Sequence, residues 1–381
     1  MNGKRLTIKE KMRPAMAARP SDIDSLPDSP AVFLLWAAEG APYLARTALL
    51  RRRLRRLLSN RERVSRVLNL QGVAERIEYW LTGSQLESAL VHLELAQKHF
   101  PDDWPRITRL HAPAFVRLTL DNPFPRTMIT TRSGRGLTFG PFASRAAADR
   151  YNEALLDLFQ LRRCEENLAP AANHPGCIYG EMNRCLRPCQ LAVSREEYHG
   201  EAARVEDFLR TNGASLRHTA EAARDRASAE MRFEEAAQLH QRADRIGQVQ
   251  ALAGELARSI DTLGGVAVTP SAAADAVDLW FLAGGRWQEP RRVMLSETSG
   301  AGQSMDRRMR ELASGIAPAA EPGVSHPNLE HLAILVRWQG SSWRDGEWIG
   351  FESFDKLPYR KLVNAVGRIA ASRPAPPQVT A

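Results

Sequence analysis

The chain has 381 residues, with 52 lysines and arginines against 44 aspartates and glutamates. Hydrophobic residues make up 44% and charged residues 25%, a balance typical of soluble globular proteins that excludes collagen-like and largely disordered classes. No apolar run exceeds about eight residues, short of the ~20 that a membrane-spanning helix needs, and the N-terminus has no apolar leader, so we expect a cytoplasmic protein without a membrane partner.

The net charge of +8 favours a polyanionic partner, with nucleic acid as the first candidate. An arginine-rich composition set by a GC-rich genome would give the same charge. Composition alone therefore leaves both explanations open.

The first part of the chain is predicted to form a small α/β domain. Residues 1–24 are polar and are predicted to be a flexible lead-in, and the domain is expected to span residues 25–102. Apolar runs bounded by Pro and Gly predict strands, and apolar residues at helical spacing predict helices. The strands are expected at 31–36, 43–45 and 75–81, and the helices at 48–59 and 84–99.

The rest of the chain completes an α+β multidomain architecture. Strands at 114–120 and 127–131 and a helix at 144–161 precede a cysteine cluster, all within a predicted unit of residues 103–194. At least two antiparallel helices are expected in residues 195–254. A mixed α/β domain of unclear role is expected in residues 255–381, with a β-hairpin formed by 276–283 and 286–295 around Gly284-Gly285.

All four cysteines lie in one segment, Cys164, Cys177, Cys185 and Cys189. A reducing compartment disfavours disulfides, so such a cluster points to a metal site. Four thiolates can hold a tetrahedral zinc ion or a [4Fe–4S] cluster. The paired C-x2-C spacing of zinc ribbons is absent, which favours iron, while four free structural cysteines are the remaining alternative.

The residues around the cysteines resemble those of the UvrC family of excinucleases. The segment from Pro175 to Tyr179 and the segment from Arg184 to Cys189 are similar to its P-C-x-x-Y and R-C-x-x-P-C blocks. Residues 139–142 resemble its Y-G-P-F, 161–164 its P-L-R-x-C, and 233–239 its F-E-x-A-A-x-L. The resemblance implies nucleotide excision repair of damaged DNA and a [4Fe–4S] cluster on the four cysteines, with zinc as the alternative.

The resemblance also implies a GIY-YIG nuclease fold for residues 25–102. By this comparison Tyr43 takes the place of the strand tyrosine that activates water, and Arg53 that of the arginine that stabilises phosphate charge. Phe33 stands where the family has a tyrosine, and Arg46 where it has a lysine. His92 occupies the position of the glutamate that holds a divalent metal.

His92 is the most damaging departure, because Mg²⁺ and Mn²⁺ prefer oxygen ligands to neutral imidazole. Helical geometry places Glu87 and Glu94 on a face directed away from His92, so neither replaces the missing carboxylate. We therefore expect a nuclease that is inactive or weakened, capable at most of one incision that depends on Mg²⁺ or Mn²⁺.

Two further surfaces are predicted to bind partners. The basic helix face formed by Arg51, Arg52, Arg55 and Arg56 is predicted to contact DNA phosphates, against the alternative of a plain solvated surface. The resemblance implies that a UVR-like hairpin docks on a UvrB-type damage-loading subunit. Its contacts would be Phe233, Ala236, Ala237 and Leu239. The alternative is a hairpin that packs only within this chain, which has the same apolar pattern.

The C-terminal residues match no nuclease block. We expect Asp275, Asp278 and Glu289 to be solvated, and most of the tryptophans after residue 279 to be core rather than base-stacking residues. Three functions remain: a UvrC-like repair protein with a degenerate endonuclease, a non-catalytic DNA-binding adaptor, and a zinc-stabilised nucleic-acid binder.

Overall fold

The computed structural model describes residues 14–59, 70–132, 134–295, 305–314, 328–351 and 353–372. Over these ranges the protein is a mixture of helices and three antiparallel sheets, which confirms the α+β architecture at that level. None of the helices in the described ranges is both long and apolar enough to cross a membrane.

The first sheet contains the strands predicted near the N-terminus. Its strands are β1 (Met16–Ala18), β2 (Ala31–Trp36), β3 (Tyr43–Thr47) and β4 (Arg76–Leu81), in the antiparallel order β1-β4-β2-β3. Helix α1 (Leu50–Leu58) covers one face, and α2 (Gln85–His99) covers the other. Because both faces of β2 are covered, the strand is a nearly continuous apolar run rather than an alternating one.

The N-terminal segment differs from the flexible lead-in predicted for residues 1–24. Strand β1 pairs with β4, with Met16 opposite Tyr79, and a short 3₁₀ helix follows at Pro20–Ser25. A strand of three residues is too short to produce a recognisable alternation of polar and apolar residues. Residues 1–13 lie outside the described residues.

The second sheet follows helix α3 (Trp104–Thr108). It consists of β5 (Ala114–Leu118), β6 (Thr127–Thr130), β7 (Leu137–Phe142) and β8 (Arg258–Ser259), in the order β6-β5-β7-β8. Helix α4 (Arg145–Leu156) packs on it and begins at Ser144, whose hydroxyl accepts the backbone N–H of Ala147. Strand β8 lies beyond residue 255, so this sheet extends past the predicted boundary at 254.

Helices dominate the middle of the chain. They are α5 (Ile178–Glu181), α6 (Arg195–Thr211), α7 (Ala214–Ala229) and α8 (Phe233–Ala253). Helix α6 begins with a capping box in which Ser194 and Glu197 satisfy each other's backbone N–H groups. Residues 230–232 join α7 to α8, and these two helices pack together as a hairpin whose buried side shares the core of the second sheet.

The third sheet contains the predicted C-terminal hairpin. Its strands are β9 (Gly264–Pro270), β10 (Ala276–Ala283), β11 (Arg286–Trp287), β12 (Arg291–Met294) and β13 (Glu347–Phe351). The order is β11-β10-β9-β13, and β12 also pairs with β10. Gly284 and Gly285 form the two-residue turn with φ of 54° and 71°, the left-handed conformation that such hairpins need.

Helices cover both faces of the third sheet. Helices α9 (Met305–Ser314) and α11 (Tyr359–Ala371) pack on one face, and α10 (Leu329–Gln339) packs on the other. Trp280, Trp287 and Trp338 are buried on the α10 side, which confirms that these tryptophans are core residues.

Helix α2 is shared between the first and third sheets. Its Leu95 packs against the first sheet, whereas Leu86 and Leu93 belong to the core formed with α10. Just before α2 the two parts approach so closely that a Cβ on Gly83 would overlap the carbonyl carbon of Ser271. The first and third sheets are therefore packed through one common helix.

Asp278 corrects the expectation of a solvated carboxylate. The side chain is 0% exposed, and Arg292 donates to it from Nε at 2.9 Å and from Nη2 at 3.3 Å. This hydrogen bond raises the pKa of Arg292, to which the charges of Asp278 and Glu87 also contribute. Strand β10 is paired on both sides and covered by helices on both faces, which places Asp278 in the interior.

Candidate functional site

Three of the residues predicted for catalysis lie on the α1 face of the first sheet. Arg53 of α1 donates from Nη2 to the hydroxyl of Tyr43 at 3.3 Å. The ring of Phe33 lies 6.2 Å from the ring of Tyr43, because neighbouring strands bring the two residues to the same face. A tyrosine with an arginine at its hydroxyl has the components of a general base beside a phosphate-binding group.

The basic side of α1 is partly neutralised by the segment before β2. Arg52, Arg55 and Arg56 are exposed, and Arg51 is half-buried. Arg55 pairs with Asp24 at 2.6 Å, and Arg52 lies 3.8 Å from Asp28. Exposed ion pairs of this kind contribute little, so phosphates can compete for these arginines.

Arg46 and His92 lie on the opposite face of the sheet. Side chains alternate along a strand, and Leu44 of β3 packs in the core on the α2 side, so Arg46 also points to that side. There it lines a cleft together with His92 of α2 and Arg337 of α10. The sheet thus separates Tyr43 and Arg53 from the position where the resemblance implies a metal ligand.

The environment of His92 is cationic. Burial, together with the charges of Arg46 and Arg337, lowers the pKa of His92 to about 4. Burial and the charge of Arg337 also lower the pKa of Arg46. The imidazole is therefore neutral at physiological pH, and its surroundings favour anions over cations.

Neither glutamate of α2 supplies the missing carboxylate. Glu87 is buried and accepts the backbone N–H of Gly83 at 2.7 Å, so it stabilises the start of its own helix. Burial raises the pKa of Glu94, and Lys98 partly opposes this effect. Neither glutamate is among the residues that line the cleft with His92.

The four cysteines lie in the irregular segment between α4 and α6. Cys185 and Cys189 are buried, Cys164 is partly buried and Cys177 is exposed, and none forms a disulfide. Burial, with smaller contributions from the other three cysteines, raises the pKa of Cys185 to about 11. Among the described residues, no group of three or more His, Cys, Asp or Glu side chains is arranged to hold a metal ion.

Arg162 is the residue of this segment that sequence reasoning missed. Its side chain is 1% exposed. It donates to the carbonyl oxygens of Phe124 at 2.9 Å and Glu166 at 2.8 Å, and Nη1 lies 3.5 Å from Sγ of Cys164. Nη2 is buried without a hydrogen-bond partner. The side chain of its neighbour Arg163 is also only 5% exposed, but Arg163 binds the carboxylates of Glu153 and Asp157. The one sequence signal for Arg162 is the resemblance of residues 161–164 to P-L-R-x-C, whose arginine falls at position 162.

The turn of the α7–α8 hairpin carries exposed apolar side chains. Met231 is 77% and Phe233 67% exposed. Of the other residues predicted to contact a partner, Ala237 is exposed, and Ala236 and Leu239 are half-buried. The turn therefore presents an apolar surface, which an intramolecular hairpin does not require.

Comparison with known proteins identifies the segment that contains the cysteines. Residues 114–209 match the family model described as UvrC/Cho excinuclease, middle domain. The resemblance to this family is confirmed for that part of the chain. The match includes the four cysteines and Arg162, whereas Tyr43, Arg53, His92 and the hairpin turn lie outside it.

Curated relatives give the same result over about half of the chain. The UvrABC system protein C of Rickettsia felis is 32% identical over 182 residues, which cover 47% of this chain and 28% of that protein. The protein of the same name from Rickettsia prowazekii is 29% identical over 218 residues, covering 56% of this chain and 34% of its own length. The chain thus spans about a third or less of these relatives, and no solved structure matches it.

Proposed function

We propose that this protein acts in nucleotide excision repair as a DNA-binding member of an excinuclease complex and does not carry out metal-dependent incision itself. The excision-repair part rests on its similarity to UvrABC system protein C. The single observation that favours binding over incision is the placement of His92 between Arg46 and Arg337. At this position the family resemblance implies a glutamate and a divalent cation.

The electrostatics of that position oppose a divalent cation. Mg²⁺ and Mn²⁺ need carboxylate or carbonyl oxygens, and here the neighbouring groups are a neutral imidazole and two guanidinium ions. Like charges repel strongly in a partly enclosed cleft, where the effective dielectric constant is lower than in water. The cleft therefore favours an anion.

A second candidate function is a single incision by the α1 face. The hydrogen bond from Arg53 to Tyr43 favours it, because it holds the tyrosine hydroxyl beside a guanidinium that can bind a phosphate oxygen. This activity would need Mg²⁺ or Mn²⁺ from a ligand set other than His92. The first proposal requires no such ligand set, so we prefer it.

We also propose that a [4Fe–4S] cluster, with zinc as the alternative, draws the four cysteines into a ligand set that their described side chains do not form by themselves. Arg162 supports a negatively charged group there, because its guanidinium is buried, has an unpartnered Nη2 and forms no salt bridge with a described residue. The backbone N–H of Arg187 also lies 3.4 Å from Sγ of Cys185, a donor that stabilises a thiolate. Such a group supplies folding free energy by cross-linking the segment.

The exposed turn of the α7–α8 hairpin is proposed to dock on a UvrB-type subunit. An exposed aromatic side chain flanked by a methionine at a helix turn is typical of an interface anchor. Docking would position the DNA-binding surfaces on a damaged duplex that the partner has already engaged.

Duplex binding through α1 gives the test of this proposal. In the variant Arg52→Gln/Arg56→Gln, the slope of log affinity against log salt for duplex DNA should become shallower by about 1.8, because two phosphate contacts are lost. Fluorescence anisotropy at several salt concentrations measures the slope. The matched control Arg242→Gln/Arg245→Gln removes the same charge from exposed positions of α8 and should leave the slope unchanged. Equal slopes in all three proteins would contradict the α1 interface.

A further inference from the structure

The cleft around His92 has properties that the proposed duplex binding by α1 does not use. It lies on the other face of the first sheet, between β3, α2, α3, α10 and the loop after α10, and it opens to solvent. Arg46, His92, Arg337 and Trp343 are among its lining residues. The walls of the cleft therefore come both from the first sheet with its helix α2 and from α10, which packs on the third sheet.

The charge of the cleft is uncompensated within the described residues. Neither Arg46 nor Arg337 has a described carboxylate at salt-bridge distance, and His92 is neutral. The carboxylate of Asp345 accepts hydrogen bonds from two residues that line the cleft. The donors are the backbone N–H of Gln85 at 2.6 Å and the indole N–H of Trp338 at 3.1 Å. Two guanidinium groups without a counter-ion form a binding site for a phosphate, whose oxygens accept their hydrogen bonds.

Trp343 gives the cleft an aromatic wall. It is 47% exposed, whereas Trp280, Trp287 and Trp338 are buried in the core. An exposed indole beside paired guanidinium groups is the combination with which proteins bind unpaired nucleotides, because the base stacks on the ring while the phosphate is bound by the cations. A base held in a duplex cannot reach such a surface, because its faces are stacked on its neighbours.

We propose that this cleft binds one nucleotide of a single-stranded nucleic acid, with the phosphate on Arg46 and Arg337 and the base on Trp343. The site is distinct from the duplex-binding surface of α1, since the two lie on opposite faces of the first sheet. The protein would then contact duplex DNA with one face and an unpaired strand with the other.

The test compares a fluorescein-labelled oligothymidylate with a duplex of the same length, using the full chain and anisotropy. Arg337→Gln and Trp343→Ala should each weaken single-strand binding roughly 10-fold. Trp343→Phe should retain most of the affinity, because phenylalanine also stacks. The matched control Arg360→Gln removes an exposed arginine of α11, on the other face of the third sheet, and should bind as the wild type does.

Duplex binding separates this inference from the proposed function. Arg337→Gln and Trp343→Ala should leave duplex affinity unchanged, whereas the α1 variants lower it. Wild-type single-strand affinity in both cleft variants would overturn the inference without affecting the α1 proposal. A loss in Arg360→Gln equal to that in Arg337→Gln would also overturn it, because the effect would then be one of net charge. Arg337 is exposed, so Arg337→Gln should fold, and it tests the inference by itself if Trp343→Ala does not fold.

Discussion

Replacing Arg162 with leucine is expected to lower the free energy of unfolding by about 3–5 kcal/mol. The substitution leaves the carbonyl oxygens of Phe124, Cys164 and Glu166 without the donor that now satisfies them. A buried acceptor that loses its partner costs about 1–3 kcal/mol, and the three carbonyl oxygens here are partly buried, which puts each near the lower end of that range. Because the same side chain approaches Sγ of Cys164, the variant should also retain less of the iron or zinc that we propose the cysteines hold.

The matched control is Arg184→Leu in the same segment. Arg184 is about half exposed and contacts Asp157 at 3.1 Å, so its loss should cost no more than about 1 kcal/mol. Thermal unfolding measures stability, and iron, sulfide and zinc analysis of anaerobically purified protein measures the bound group. Equal stability of the two variants would contradict the role given to Arg162. Zinc without iron in the wild-type protein would contradict the cluster and support the alternative.

Replacing Phe233 with aspartate is expected to weaken binding to a UvrB-type subunit by about 30-fold or more, corresponding to about 2 kcal/mol for an aromatic anchor. Phe233 is 67% exposed, so the substitution removes an interface contact rather than a core residue. The added carboxylate would also be desolvated in the complex, which increases the loss. Isothermal titration calorimetry with the purified partner measures the affinity.

The control for this prediction lies on the same helix. Leu252 is 42% exposed near the opposite end of α8, and Leu252→Asp adds the same charge in place of an apolar side chain. It should bind the partner as the wild type does. If Phe233→Asp also binds normally, the hairpin turn is not the docking surface and the intramolecular explanation of its apolar pattern is supported.

Local features of the fold could be predicted from the sequence because they depend on neighbouring residues. The continuous apolar run at 31–36 predicted strand β2, and Gly284-Gly285 predicted the hairpin turn, because each pattern strongly favours one backbone conformation. The sequence blocks around the cysteines also predicted the family whose model matches residues 114–209.

The remaining features depend on contacts between distant parts of the chain. Helical spacing predicted that Glu87 and Glu94 point away from His92, but it did not reveal that Tyr43 and His92 lie on opposite faces of one sheet. Arg337 reaches His92 only because α10 packs on α2, a contact between residues more than 200 positions apart. Asp278 was predicted to be solvated because the helices that cover both faces of its strand lie more than 25 residues away in the sequence.

The absence of metal-dependent incision is the central claim, and an incision assay tests it most directly. The full chain is incubated with a damaged duplex, a UvrB-type subunit and either Mg²⁺ or Mn²⁺, and the DNA strands are resolved by denaturing electrophoresis. We predict that the protein binds the complex and leaves both strands intact. Incision by the wild-type chain that is lost in Tyr43→Phe and in Arg53→Ala would contradict the account and establish the α1 face as an active nuclease site.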